Sequence, residues 1–210
     1  DVETTIDYGS QILSGLQHLH SHGYHHRDLS PYNIRVAEDG TVKILDFGLS
    51  TSPKVPDNDF LSRLYGAPEL RIGEEYENSD VWSFGLVLYE MLAGEHLINP
   101  SDPYVQRNTE YFKNYVAGKA EGWAELQQEM NEQYQHKIEE ISDNPHLTEI
   151  LKRCLKADPE KRYQSVREVI GDYRSLELQI NPMGLALDAY ERMTPEQRKI
   201  FQNKIGQIES

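Results

Sequence analysis

The feature that most constrains the fold of this 210-residue chain is an Asp-Gly pair, Asp39 and Gly40, between two apolar-biased runs. Asp-Gly in this setting is the strongest local signal for a β-hairpin closed by a two-residue type I′ turn. If these two residues form the turn, counting outward along both strands pairs Asn33 with Asp46. Directly opposed residues have Cβ atoms about 4.5–5.5 Å apart. The sequence therefore predicts that an amide and a carboxylate converge at the open end of the hairpin.

The predicted cluster at the hairpin end consists of oxygen ligands. Such ligands suit Mg²⁺, which takes few protein ligands and completes its shell with water and phosphate oxygens. Asp28 lies five residues before Asn33 and supplies a second carboxylate. Two carboxylates and an amide in this arrangement predict a site for phosphoryl transfer, with Asn33 and Asp46 as the metal ligands.

Three short motifs in the same region are arranged as in a known family. Residues 26–29 read His-Arg-Asp-Leu, residues 46–48 read Asp-Phe-Gly, and residues 67–69 read Ala-Pro-Glu. In this order, and with Asn33 five residues after the first aspartate, they resemble the catalytic signature of eukaryotic-type protein kinases. The resemblance extends over roughly residues 5–176, which in order and content resemble the C-terminal lobe (C-lobe) of a kinase.

The resemblance implies the fold class and the domain organisation. We expect a mainly α-helical C-lobe with a small hairpin over residues 1–176, containing a catalytic loop at 26–33 and an activation segment at 46–69. Residues 177–210 are expected to form a helical C-terminal extension. The chain has no Gly-rich phosphate loop of the kind that a kinase N-terminal lobe (N-lobe) carries. The N-lobe is therefore expected to be absent from this chain and supplied in cis by a longer polypeptide or in trans by a separate one.

The resemblance also implies a role for each residue of the signature. Asp28 would accept the proton of the substrate hydroxyl. Arg27 would pair with a phosphorylated activation segment, because guanidinium binds phosphate bidentately. Asn33 and Asp46 would bind ATP through Mg²⁺. Outside the chemistry, Glu69 and Arg162 would form a structural ion pair, and Asp80 would brace the catalytic loop.

Two positions depart from the family pattern. Ser30 occupies the position at which Ser/Thr kinases carry a lysine that contacts the γ-phosphate, although Pro31 and Ser62 still favour the Ser/Thr type. Arg35 shares a strand face with Asn33, at a position where the family usually has an aliphatic residue under the adenine. Its side chain either reaches toward phosphate or marks weakened nucleotide binding.

Helical periodicity and capping signals predict most of the remaining structure. Apolar spacing predicts helices over 5–22 and 79–93 and another near 164–177. Two or three further helices are expected to fill 108–141 and 147–156. The segment 79–93 is apolar on most faces, so we expect that helix to be buried. Thr194-Pro195-Glu196-Gln197 is a capping box that opens a last helix.

The composition narrows the possible function classes. The net charge of −14 argues against general affinity for nucleic acids or anionic membranes. Cys154 is the only cysteine, so no internal disulfide can form. No apolar run approaches the roughly 18 residues of a spanning helix. Together with the resemblance, this predicts a cytoplasmic protein that acts on a protein substrate and binds no nucleic acid or membrane.

A histidine-rich tract precedes the catalytic loop. The number of histidines suggests a zinc site, but a helix does not place positions 18, 20 and 22 on one face, and His20 and His26 match family positions. We therefore interpret the tract as structural. Its members are His18, His20, His22, His25 and His26.

One main hypothesis and two alternatives follow. The main hypothesis is an ATP- and Mg²⁺-dependent Ser/Thr-type kinase that transfers the γ-phosphoryl group to a protein hydroxyl, with the isolated lobe inactive. The alternatives are a pseudokinase or scaffold that uses the lobe for binding, and one half of a split kinase. Intact Asp28, Asn33 and Asp46 favour the enzyme, whereas Ser30 and Arg35 favour the scaffold.

Overall fold

The computed structural model describes residues 1–47, 64–72, 74, 76–98, 122–180 and 182–200. In this part of the chain the fold is mainly α-helical with one two-stranded antiparallel sheet, as predicted. The helices are α1 (Val2–Ser21), α2 (Ser79–Ala93), α3 (Trp123–Ile141), α4 (Pro145–Cys154), α5 (Val166–Ile180) and α6 (Pro182–Arg192), and the strands are β1 (Ile34–Val36) and β2 (Val42–Ile44).

Helix α1 has a defined cap at each end. At its start the Asp1 side chain accepts a hydrogen bond from the Thr4 amide at 2.9 Å. At its end Gly23 has a φ of 77°, and its amide and that of Tyr24 return to carbonyls of the last turn. This is a Schellman motif, which requires a residue that tolerates a left-handed conformation. The predicted end of the helix at Gly23 is confirmed.

Helix α2 is the centre of the core. Residues 79–89 are all buried, and the helix contacts α1, α3, α4 and α5. A Cβ added at Gly85 would lie 2.8 Å from the Cβ of Cys154, so α2 and α4 approach too closely there for a larger residue. The predicted bounds of 79–93 and the predicted burial are both confirmed. This buried helix is the rigid base on which the candidate site rests.

The hairpin forms, but its register differs from the prediction. Ile34 pairs with Ile44, and Arg35 pairs with Lys43. The Ala37 amide donates to the Thr41 carbonyl at 2.9 Å, which leaves three residues, 38–40, in the loop. The last of them, Gly40, has a φ of 82°. Three-residue loops that end in a left-handed glycine are the second common way to close a hairpin.

This one-residue shift corrects the predicted pairing at the open end. The residue opposite Asn33 is Leu45, whose amide donates to the Asn33 carbonyl at 2.8 Å. The prediction that Asn33 lies opposite Asp46 is therefore wrong. A slip of one residue moves every side chain of a strand to the other face, and Asp46 comes one position after Leu45, the residue that is paired with Asn33.

The C-terminal part continues the helical body. Helix α5 passes through the expected boundary at residue 176 without a break, and α6 follows it. The capping box is confirmed: the Thr194 amide donates to Gln197 Oε1 at 2.8 Å, and the Gln197 amide donates to Thr194 Oγ1 at 3.3 Å. Predicted helical positions at 108–121 and 201–210 lie outside the described residues. Among the described helices, none combines the length and apolar character needed to cross a membrane.

Candidate active site

The catalytic loop is held from below by one buried carboxylate. Asp80, in the first turn of α2, is 1% exposed. Its two oxygens accept the backbone amides of His26 and Arg27, each at 2.7 Å, and His20 Nε2 lies 2.7 Å from Oδ2. Burial alone raises the pKa of this carboxyl, but the hydrogen bonds outweigh burial and hold the pKa below its ordinary value. The predicted bracing of the loop by Asp80 is confirmed.

The brace maintains a backbone conformation that side-chain sterics disfavour. Arg27 has a φ of 66°, in the left-handed region that costs a non-glycine residue about 1–2 kcal/mol. Its amide is one of the two donated to Asp80. The charge-assisted bond offsets part of that cost and fixes the direction in which the chain enters Asp28.

His26 joins the catalytic loop to the segment after β2. This buried ring accepts a hydrogen bond from the Asp28 amide through Nδ1 at 3.3 Å, and its Nε2 lies 3.0 Å from the Leu45 carbonyl. The two contacts together require the tautomer that carries its proton on Nε2. The Phe47 ring also packs edge-on against the imidazole at 5.5 Å. One side chain therefore sets the separation of the segments that carry Asp28 and Asp46.

Asp28 and Asn33 are in direct contact. The Asn33 Nδ2 donates to the Asp28 carbonyl at 2.8 Å and to its Oδ2 at 3.2 Å. Because the amide nitrogen faces Asp28, the amide oxygen is turned away from it, and no described residue donates a hydrogen bond to that oxygen. The predicted proximity of these two residues is confirmed, and an oxygen ligand remains available beside the carboxylate.

Asp46 is exposed and has a φ of 58°. Left-handed backbone at a non-glycine residue persists only where the surroundings impose it, and such positions are concentrated at functional sites. Here hydrogen bonds fix both backbone groups of the preceding residue, Leu45. Its amide donates to the Asn33 carbonyl, and its carbonyl lies within hydrogen-bond distance of His26 Nε2. The turn at Asp46 follows directly from that fixed strand end. Gly48, predicted to permit a sharp turn after it, lies outside the described residues.

The two residues that depart from the family pattern occupy different surroundings. Ser30 is 7% exposed and precedes the short 3₁₀ helix Pro31–Asn33. Arg35 is exposed, and its Nη1 donates to the carbonyls of Ile34 at 3.1 Å and Tyr32 at 3.4 Å. The guanidinium thus folds back toward the turn that carries Asn33. It also lies directly across the sheet from a second cation, Lys43.

The predicted ion pair under the site is fully formed. Glu69 and Arg162 are each 1% exposed, and they make two parallel hydrogen bonds, Nη1 to Oε1 at 2.8 Å and Nη2 to Oε2 at 3.0 Å. The Ser79 hydroxyl donates to the same carboxylate at 2.8 Å. The pair fixes the segment that begins at Pro68 to the body of the lobe.

The segment just before the ion pair is anchored to α2. The Tyr65 hydroxyl donates to Glu90, and the Ser83 hydroxyl donates to the Tyr65 carbonyl at 2.8 Å. Burial, followed by the neighbouring Glu90 carboxylate, raises the pKa of the Tyr65 hydroxyl far above its ordinary value. Residues 49–63 of the predicted activation segment, including Ser62, lie outside the described residues.

Sequence reasoning missed two of the positioning contacts. It assigned no function to His20 or His26, because hydropathy and periodicity do not reveal which histidines meet a buried carboxylate. The contact between His20 and Asp80 spans 60 residues of sequence. The only signal available was that both histidines occupy positions shared with the family.

The comparison with known proteins agrees with this geometry. Residues 2–172 match the family model described as the protein kinase domain. The chain therefore belongs to the eukaryotic-type protein kinase family, and the resemblance seen in the motifs is confirmed. The mainly helical body, with one hairpin in the part of the chain that the structure describes, is that of a kinase C-lobe.

Several curated relatives share the same region. A stress-activated protein kinase JNK from Drosophila melanogaster is 34% identical over 183 residues, covering 72% of this chain and 48% of that protein. Mitogen-activated protein kinase 13 from Bos taurus is 34% identical over 165 residues, covering 72% and 45%. Cyclin-dependent kinase-like 2 from Homo sapiens is 32% identical over 183 residues, covering 77% and 36%. The chain thus spans less than half the length of each of these relatives.

Proposed function

We propose that this chain is the catalytic lobe of a Ser/Thr-type protein kinase that transfers the γ-phosphoryl group of ATP to a protein hydroxyl. The observation that carries the proposal is the contact between Asp28 and Asn33, in which the amide nitrogen orients the carboxylate while the amide oxygen stays available. A general base and a metal ligand are thereby held side by side. We assign the lobe to residues 1–176 and the helical extension to 177–210.

The donor set fits Mg²⁺. Asn33 Oδ1 and the Asp46 carboxylate are hard oxygen ligands carried by two adjacent strand ends. A bound Mg²⁺ would neutralise charge that develops on the transferring phosphoryl group. The contribution of this chain is to hold the two ligands at fixed positions, which the Leu45 hydrogen bonds to Asn33 and His26 achieve.

Asp28 would act on the substrate. Its carboxylate is half-buried, bonded to Asn33, and fixed in direction by the backbone bonds that Asp80 and His26 make. In this position it would accept the proton of the attacking hydroxyl and orient the oxygen for in-line attack. Positioned general bases contribute about 10²–10⁴-fold to rate.

The remaining predicted site residues would adjust binding and control. Arg27 would pair with a phosphorylated activation segment. Ser30, which carries no charge, would leave the γ-phosphate with one contact fewer than a lysine provides. Arg35 would lie on the nucleotide face, since it shares a strand face with Asn33, and there it replaces the aliphatic contact that the family usually offers to the adenine.

An N-lobe would complete the nucleotide cleft, in cis or in trans. The support for this is a set of apolar side chains on and beside the hairpin that are exposed for their type, Val36 at 45%, Leu45 at 39% and Phe47 at 47%. Exposed apolar groups that lie close together mark surfaces that pack against another element or chain.

The test uses the longest natural protein that contains this chain. With Mg²⁺, labelled ATP and a panel of Ser/Thr protein substrates, we expect transfer that falls by about 10²–10⁴-fold in Asp28→Asn. The matched control is Asp7→Asn, which changes an exposed aspartate on α1 whose side chain accepts a hydrogen bond from Gln11 Nε2 at 3.0 Å. Equal transfer by wild type and Asp28→Asn would remove Asp28 from the mechanism.

A scaffold is the second candidate, because a buried serine occupies the position of the phosphate-binding lysine. A scaffold predicts no transfer by the wild-type protein on any substrate, with partner binding unchanged in Asp28→Asn. A split enzyme predicts transfer only after a separate N-lobe polypeptide is added.

A further inference from the structure

We propose that His20, His25 and Asp80 form a binding site for a divalent transition metal, of the zinc or cobalt type, beneath the catalytic loop. One ligand atom from each residue can be chosen so that all three lie within 4.8 Å of one another. The residues come from the end of α1, from the loop that follows it, and from the start of α2. The structure therefore assembles a site that the spacing of the histidine tract does not predict.

The first argument is an unsatisfied nitrogen. His25 Nδ1 is buried and has no hydrogen-bond partner among the described residues. Leaving a buried polar atom without a partner is costly, and an ion or a water at such an atom is one explanation for it in a native protein. The His25 ring lies with its centroid 4.5 Å from that of His20, which in turn contacts Asp80. The ring that carries the unpartnered nitrogen thus belongs to the same cluster.

The second argument is geometric. Zinc-type metals bind imidazole nitrogen and carboxylate oxygen at about 2.0–2.2 Å, so two ligands of one metal lie roughly 3 Å apart. His20 Nε2 is already 2.7 Å from Asp80 Oδ2. A rotation of the His25 ring is then the main adjustment needed, and His25 is only half-buried and lies in a loop. Three protein ligands would leave a fourth position for water, as in open metal sites.

The donor set selects the class of metal. Two imidazoles and one carboxylate favour zinc, cobalt, nickel or copper over magnesium, which prefers oxygen alone. The site is therefore chemically distinct from the proposed Mg²⁺ ligands Asn33 and Asp46. An excess of Mg²⁺ is not expected to displace the metal.

The site has a consequence for the catalytic loop. The same carboxylate accepts the amides of His26 and Arg27, so a metal would compete for lone pairs that brace the loop. We expect occupancy to lower phosphoryl transfer without affecting the Mg²⁺ ligands. This consequence rests on the proposed kinase function, whereas metal binding itself does not.

The test is a titration of the full chain with Co²⁺ in the presence of excess Mg²⁺, monitored by visible absorption and by calorimetry. We expect one saturable Co²⁺ site, from which added Zn²⁺ displaces the Co²⁺. His25→Asn should weaken Co²⁺ binding by at least about tenfold, because even losing a residue that only supports a ligand costs about 10–100-fold. His25→Cys should keep the metal and add thiolate-to-cobalt absorption, which a purely structural role would not produce.

The control variant is His18→Asn. His18 is exposed and its ring lies 4.6 Å from that of His22, just past the end of α1, so this histidine pair is the alternative place at which added metal could bind. Binding that survives His18→Asn supports the proposal. No saturable binding in the wild type, binding lost in His18→Asn but kept in His25→Asn, or equal loss in both variants overturns it. A failure of transfer to respond to Zn²⁺ while binding is intact would remove only the regulatory consequence.

Discussion

Replacing Arg162 by methionine is the sharpest test of what stabilises this lobe. The change keeps the apolar stem and removes the guanidinium, which makes four hydrogen bonds: two to Glu69, one to the Lys156 carbonyl at 3.0 Å and one to the Asn78 carbonyl at 3.2 Å. It leaves the Glu69 carboxylate, which is 1% exposed, with the Ser79 hydroxyl as its one remaining hydrogen-bond donor among the described residues. Removing one partner of a buried pair costs about 3–5 kcal/mol.

The magnitude can be checked in a second way. A buried carboxylate without its cation is relieved by taking up a proton, and protonating an ordinary glutamate costs about 4 kcal/mol at pH 7 but only about 1 kcal/mol at pH 5. We therefore expect the destabilisation by Arg162→Met to shrink by about 2–3 kcal/mol between these two values of pH. At pH 7 the loss corresponds to a fall in Tm of about 6–20 °C.

The assay is urea unfolding of the purified chain, monitored by tryptophan fluorescence. Trp82 is a suitable probe because it is buried and the Arg162 guanidinium carbon lies 5.3 Å from its ring. The matched control is Lys161→Met, which breaks an exposed ion pair with Asp158 and should cost less than about 1 kcal/mol.

A double-mutant cycle separates the charge from the packing. If the cost arises from an uncompensated buried charge, adding Glu69→Gln to Arg162→Met should cost much less than the sum of the two single changes. A single-variant cost below about 1 kcal/mol, strict additivity in the cycle, or a cost independent of pH would refute this account of the pair.

Three further predictions test other parts of the structure. Arg35→Leu in the complete enzyme should lower the KM for ATP by about threefold to tenfold, roughly 1 kcal/mol of apolar contact, whereas a rise in KM would show that the guanidinium binds phosphate. Gly85→Ala should destabilise the chain by about 1–3 kcal/mol in urea unfolding, because its Cβ would meet that of Cys154, whereas Gly171→Ala in α5, with no atom within 4 Å, should stabilise it by up to about 1 kcal/mol. Burial lowers the pKa of His96 in the folded chain, so below the ordinary histidine pKa of about 6.5 the unfolded state binds more protons than the folded state. The free energy of unfolding should therefore fall as the pH drops below that value. The part of the fall that is due to His96 should disappear in His96→Gln.

The helices could be predicted from the sequence because their signals are local. Helix α2 is apolar on most faces, and its observed bounds of Ser79–Ala93 equal the predicted ones. The capping box at Thr194 and Gln197 forms as its spacing requires. Gly23 ends α1 because a left-handed residue completes the Schellman motif there. In each case the residues that determine the helix or its end lie close together in the sequence.

The hairpin register could not be predicted because tertiary contacts decide it. Asp-Gly is compatible with a two-residue loop and with a three-residue loop that ends in a left-handed glycine. The observed register sets the Ile44 side chain against Gly15 of α1, where an added Cβ would lie only 2.8 Å from Ile44 Cδ1. Gln11 of the same helix accepts the Val42 amide at 2.8 Å and donates to the Gly40 carbonyl at 3.3 Å. These contacts with α1 select the register that the turn sequence left open.

The catalytic loop is preorganised from beneath, by groups that do not touch the proposed substrate. Arg27 and Asp46 both adopt left-handed backbone, at a combined cost of about 2–4 kcal/mol if each follows the usual penalty. Asp80 offsets the first through its bond to the Arg27 amide, and His26 supports the second by fixing Leu45. Both supports are buried in the C-lobe and require no nucleotide. The loop should therefore hold its shape in this chain alone. Under the proposed function, an N-lobe would cover the nucleotide face without having to rearrange Asp28, Asn33 and Asp46.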